Sequence, residues 1–151
     1  MPNTGTDGAP HRPSTPRRAI TRVNPDELHA TPGYHHVTVV EAGRTAYLAG
    51  QCPLDHAGGM VAPDDPQAQA GQVAANALAA LAAVGAAPEQ VVRSVIYVAS
   101  AEREVLVSVW DRLLDSPLAP AFTSASTLLG VAQLGFPGQR VELDLTVALD
   151  D

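Results

Sequence analysis

Glu142 is the residue of this sequence best placed to move a proton. It lies in residues 141–149, VELDLTVAL, where Val141, Leu143, Leu145, Val147 and Leu149 alternate with Glu142, Asp144, Thr146 and Ala148. A period of two reads as a strand with one apolar and one more polar face. Gly135-Phe136-Pro137-Gly138 just ahead reads as a loop, so Glu142 stands at the start of the strand, on its polar face. A carboxylate fixed on a strand is held more firmly than one on a loop, which suits general acid or base work. A solvated strand residue would give the same pattern, and the spacing alone does not separate the two.

The other reactive types are less pointed. Ser124, Ser126 and Thr127 cluster in FTSAST, ahead of Leu128-Leu129-Gly130. Hydroxyls where a loop enters a strand satisfy backbone groups, or with free N–H groups hold a small anion or carbonyl. Cys52 has no second cysteine to pair with and reads as an inert thiol before a nucleophile. His35 and His36 are neighbours on a strand and point to opposite faces, so they cannot chelate one metal; His11, His29 and His56 lie in a tail or in loops. No metal is expected. Tyr34, after Pro32-Gly33, caps a pocket or simply packs, and Asn76 in an Ala/Leu helix suggests a hydrogen bond rather than chemistry. There is no P-loop, GxGxxG, HExxH or GxSxG, and nothing marks out a Ser-His-Asp triad.

The elements that must position these residues follow from periodicity. Residues 36–40 and 44–51 read as two strands joined at Ala42-Gly43 in a hairpin. Residues 53–66 read as a loop that ends on Asp64-Asp65, where negative charge suits the start of a helix. Residues 67–84 carry a stripe of Val73, Ala77, Leu81 and Val84 and stop at Gly85; the small side chains would let this helix lie close to a sheet. Residues 89–100 give a strand, and 102–114 a helix with Val105, Val109 and Leu113 on one face. Two strands flanking the Gly/Pro loop close the chain. The order is β-β-α-β-α-β-β. Two helices cover one face of such a sheet, and the other face needs a partner, so a homo-oligomer is expected.

Composition sets the outer limits. The 151 residues suffice for one domain with a real core. Residues 1–30, rich in Pro, Thr, Gly and Arg, read as a disordered extension, and 31–151 as the domain. A net charge of −7, with nine Arg and no Lys, argues against a nucleic-acid surface. No run is long enough for a membrane span, the N-terminal residues hold no signal-peptide apolar region, and Arg17-Arg18 has no apolar segment after it. With a single cysteine, a cytoplasmic protein is expected.

Taken in series, several stretches resemble the Rid family (YjgF, endoribonuclease L-PSP-like). They are Ala49-Gly50-Gln51 with Pro53-Leu54-Asp55, QAGQVAAN ending at Asn76, residues 81–86, residues 91–98, Gly130-Val131-Ala132 with Leu134, and Val141-Glu142-Leu143. The resemblance covers residues 33–149. It implies an α+β, chorismate-mutase-like fold, a homotrimer built around a barrel of three sheets, and small-molecule clefts between subunits, with no cofactor. The family activity it implies is hydrolysis of reactive imines and enamines to a carbonyl compound and ammonia. In active members an Arg on the penultimate strand clamps the substrate carboxylate, and a Glu on the last strand handles water. Here the Glu is Glu142, while the Arg position is Ser126. Ser108 falls where some members carry a pocket Asn. The N-terminal aromatic is Tyr34 with a two-residue insertion, or His36 without one. Ser126, Thr127 and the backbone near Gly50 would hold the substrate. Without a bidentate Arg, an efficient 2-iminoacid deaminase is not expected. The resemblance leaves an imine or enamine hydrolase acting through Glu142, or a non-catalytic binding protein using the same cleft. The ribonuclease activity attributed to some relatives is disfavoured by the charge.

Overall fold

A computed structural model describes residues 19–150 of the chain; most of the segment read as an extension, with His11, Arg17 and Arg18, lies outside them. Six strands and two long helices follow in order: β1 (Ile20–Val23), β2 (Val37–Val40), β3 (Thr45–Tyr47), α1 (Pro66–Ala83), β4 (Val91–Val98), α2 (Arg103–Leu114), β5 (Ala125–Gly130) and β6 (Val141–Ala148). The expected β-β-α-β-α-β-β order is present, preceded by one further strand. β1 falls inside residues 1–30, so regular structure begins before the expected boundary.

The main sheet has the order β3-β6-β4-β5, mixed because β4 and β5 run parallel while β6 is antiparallel to both β3 and β4. The expected hairpin does not form. β2 pairs with β1 in a separate two-stranded sheet, and β3 pairs with β6. Long-range polar contacts hold the small sheet beside the start of β5. Arg22 donates from Nε to Ser124 Oγ at 3.1 Å and from its Nη2 to the Glu89 carbonyl at 2.9 Å, and Thr38 Oγ1 accepts from the Ala125 N–H.

The alternation in β6 decides which face is covered. Val141, Leu143, Leu145 and Val147 are buried with Ile96 and Val98 of β4, against Val73, Ala77 and Leu81 of α1 and Val109 and Leu113 of α2. Asp65 caps α1, accepting from the Gln67 and Ala68 N–H groups at 3.0 Å each, and Gly85 ends the helix at φ +68°. The small stripe brings the two helices close: a Cβ on Gly71 would lie 2.8 Å from the Arg112 guanidinium.

The opposite sheet face is uncovered in the protomer. In register across it stand Glu142, Tyr97 and Leu129, then Asp144, Val95 and Thr127, with Tyr47 beside Thr146. Tyr47 is 80% exposed and Leu129 41%. Among the described residues no helix is long and apolar enough to cross a membrane.

Candidate functional site

Glu142 is half-buried on the uncovered face, beside the segment that follows β3. Gln51 exchanges both backbone hydrogen bonds with Leu143, at 2.7 and 3.1 Å, which lays residues 50–52 along β6. Gly50 then faces the carboxylate directly. A Cβ there would lie 2.0 Å from Glu142 Oε1, so any side chain at Gly50 would displace the carboxylate. On the other side, Gln139 Nε2 donates to Glu142 Oε2 at 3.2 Å. Gln139 is itself buried and fixed, donating to the Val141 carbonyl and accepting at Oε1 from the Phe136 N–H. One carboxylate oxygen is thus oriented by an amide, and the other lies against the Gly50 backbone.

Cys52 shares this neighbourhood. Burial pushes its thiol pKa up, and the Glu142 carboxylate adds to the rise; the hydrogen bond with Gln139 acts in the opposite sense. The thiol is therefore the favoured form, and thiolate chemistry is suppressed at neutral pH. Alkylation of Cys52 by iodoacetamide at pH 8 is expected to run several-fold slower than that of a cysteine peptide, and to accelerate only above the ordinary thiol range. Peptide-like reactivity at pH 8 would contradict this placement.

A second locus lies along the open edge of β5. A cavity of about 640 Å³ is lined by Pro32, Tyr34, Ser126, Thr127 and Leu128 and by Val107, Trp110, Asp111 and Leu114 of α2. Ser126 is on the helix-covered face of β5, where its Oγ is 2.7 Å from Ser94 Oγ and 3.1 and 3.3 Å from the Ser124 and Phe122 carbonyls. Thr127, one residue on, faces the uncovered side. Tyr34 lines the cavity, with His29 Nε2 3.4 Å from its hydroxyl. His36 packs edge-on to His29 and Tyr34 and bonds through Nε2 to the His29 carbonyl, one step behind the cavity wall. Ser108 is not in the wall: its hydroxyl donates back to the Val105 carbonyl, and its own carbonyl accepts from Gln67 Nε2.

The structure thus joins Glu142 with Gly50, and Ser126 with Thr127 and Tyr34, but leaves the two groups apart within one protomer. Ser126 pairs with Ser94, whereas Glu142 pairs with Tyr97, so β4 lies between them. That is roughly 10 Å across the sheet and roughly 10 Å along it, with the side chains of Ser126 and Glu142 on opposite faces. Among the described residues no arginine lines the cavity. Arg140 is tied to Asp64 by contacts of 2.7 and 2.9 Å and to the Ala99 carbonyl at 3.2 Å. Asn76 holds the Cys52 and Leu54 carbonyls at 2.9 Å each, the hydrogen-bonding role its position suggested.

Two groups escaped the sequence reading. Gln139 gave no signal, because its role depends on a loop folding back. The cavity wall of α2 did give one: Val107, Trp110 and Leu114 repeat at three and four residues, a second apolar stripe beside Val105, Val109 and Leu113.

A family model described as Endoribonuclease L-PSP matches residues 25–149. No curated protein matches the chain in sequence. Among solved structures, the chain is similar to YyfB of Yersinia pestis, described as a protein of unknown function of the conserved Rid protein family. Identity is 28% and the TM-score 0.77, over 86% of this chain and 98% of that one. Yeast YEO7 follows at 21% identity and TM-score 0.61, over 86% and 98%. A Mycobacterium tuberculosis member of the YjgF family gives 23% and 0.57, over 87% and 100%. The last two speak for the fold alone.

Proposed function

Because the chain belongs to the endoribonuclease L-PSP (Rid, YjgF) family, we propose that it hydrolyses a reactive imine or enamine that lacks the α-carboxylate of amino-acid-derived substrates. The observation that carries this reading is the Glu142 carboxylate, seated against Gly50 and oriented by the buried Gln139. In the proposed reaction, water attacks the imine carbon while Glu142 takes its proton, and the C=N electron pair moves to nitrogen. Glu142 returns the proton to the nitrogen of the resulting carbinolamine. The C–N bond then breaks, the carbinolamine hydroxyl becomes the carbonyl, and its proton leaves with ammonia as ammonium. An iminium ion and water give a carbonyl compound and an ammonium ion, so the balance needs no other reactant.

The separation of Glu142 from the Ser126 cavity is accounted for by a homotrimer. Partner copies would cover the face of Tyr47, Tyr97 and Leu129, and Glu142 of one protomer would meet the cavity of the next. The absence of an Arg clamp favours a substrate without carboxylate. The cavity offers an anion neither a cation nor a free Ser126 hydroxyl, which is already within hydrogen-bond distance of three groups.

The experiment compares two imine sources. A flavin amine oxidase supplies an imine without carboxylate, an L-amino-acid oxidase supplies a 2-imino acid, and residual imine is trapped as semicarbazone. Wild type is expected to deplete the first and leave the second nearly untouched. Ser126→Arg is expected to gain about tenfold or more on the 2-imino acid, the worth of a charge-assisted pair. Wild type acting efficiently on the 2-imino acid would overturn the weight placed on Ser126. Tight binding of the first imine without turnover would favour a metabolite-binding protein.

A further inference from the structure

We infer that the Ser126 cavity selects an apolar organic cation, the iminium or amine form of an aromatic or branched substrate. The inference rests on reading this cavity as the substrate site and adds the charge and shape of what enters it. Val107, Trp110, Leu114, Leu128 and Pro32 make most of the wall, and about 640 Å³ holds a single-ring molecule with room for water. The polar lining residues are Tyr34, Ser126, Thr127 and Asp111.

Among the described residues Asp111 is the one charged residue in the wall. It is exposed, so its carboxylate is hydrated at the mouth rather than buried. Two neighbouring cations are directed elsewhere. Arg112 lies over Gly71 on the α1 side, and Arg22 is engaged by Ser124 and the Glu89 carbonyl. Arg93 stands in register with Ala125, outside the cavity wall but on the uncovered face that it shares with Thr127. Among the described lining residues an anionic ligand would meet a carboxylate and no cation. A cationic one would meet that carboxylate and the indole of Trp110, the aromatic ring that attracts cations most strongly. Where the family places an arginine, this chain has a serine turned into the sheet and an aspartate at the rim. The sign of the site is reversed.

The test uses three near-isosteric probes on the full chain at low ionic strength, with affinity measured by calorimetry: benzylamine, benzyl alcohol and benzoate. Benzylamine is expected to bind most tightly and benzoate most weakly. Asp111→Asn, at an exposed position, is expected to weaken benzylamine about fivefold, as for a partly solvated ion pair, and to leave benzyl alcohol within about twofold. Asp111→Arg is expected to invert the order of benzylamine and benzoate. Benzoate binding as tightly as benzylamine, an unchanged benzylamine affinity in Asp111→Asn, or no binding of any probe at millimolar concentration would each overturn the inference. Its failure is distinct from failure of the hydrolase reading. Amine selectivity without imine turnover would remove the catalysis and keep the selectivity. Turnover of neutral and cationic imines alike, insensitive to Asp111, would do the reverse.

Discussion

Glu142→Gln is expected to lower imine turnover by about two to four powers of ten, the usual worth of a general acid–base group, and to leave the fold intact. The substitution is nearly isosteric, so the fit against Gly50 is kept: the amide occupies the space the carboxylate held, 2.0 Å from where a Cβ at Gly50 would be. Gln139 can still donate to an amide oxygen at residue 142. What disappears is the capacity to accept a proton from water. Thermal unfolding should move by no more than about 1 kcal/mol, and the elution volume on a sizing column should match wild type. A second readout reports the same charge without a substrate. The Glu142 carboxylate is one cause of the raised Cys52 pKa, so its removal should speed Cys52 alkylation at pH 8, though burial keeps the thiol slower than a free one. Full activity in Glu142→Gln would remove Glu142 from the mechanism. Lost activity with a lost fold would be read through Glu142→Asp, which keeps the charge and withdraws it from Gly50.

How much of this was legible in the sequence depends on the range of the interaction concerned. The strict alternation of β6 placed Glu142 on the polar face at the start of a strand, because side-chain direction in a strand is a local property. The alanine stripe and Gly85 fixed α1 for the same reason. Strand pairing is not local, and there the reading failed. The short turn at Ala42-Gly43 suggested a hairpin, yet β2 pairs with β1, a strand in a segment whose composition gave no apolar period. Arg22, Thr38 and Ser124 secure that sheet through partners about a hundred or fewer residues away, which no window on the sequence spans. The cavity was half-visible. Ser126, Thr127 and Tyr34 were named from type and position, whereas Asp111 and Trp110 lay on a helix face that was read only for its other stripe. Ser108 was carried over from a family position, but the turn of α2 points it back at its own helix.

Gln69→Leu is expected to destabilise the protein by about 2 kcal/mol, through a mechanism that also reaches Glu142. Gln69 is fully buried in the first turns of α1, an unusual place for an uncharged polar side chain unless all of its groups are satisfied. They are. Its Nε2 donates to the Ala62 and Gly138 carbonyls at 3.0 and 2.8 Å, and its Oε1 accepts from the Arg140 N–H at 2.6 Å. One side chain thereby ties the loop before α1 to the loop before β6. Leucine fills similar volume, so little packing is lost. It leaves the Arg140 N–H without its partner, while the Ala62 carbonyl keeps the Asp65 N–H at 3.0 Å and the Gly138 carbonyl keeps the Asp64 N–H at 2.9 Å. Each unsatisfied buried group costs about 1–3 kcal/mol. In a domain of this size that corresponds to a melting temperature lower by about 5 °C. Gln69→Glu should be worse than Gln69→Leu at neutral pH, since it keeps the acceptor but turns a buried charge toward two carbonyls. The released loop carries Gln139, so turnover should fall further than the lost stability alone explains, even well below the melting temperature. A shift of less than about 3 °C in Gln69→Leu would mean that the loops are held by Arg140 and Asp64 instead. The orientation of Glu142 would then have to be traced to that exposed ion pair, and high salt should weaken activity in wild type.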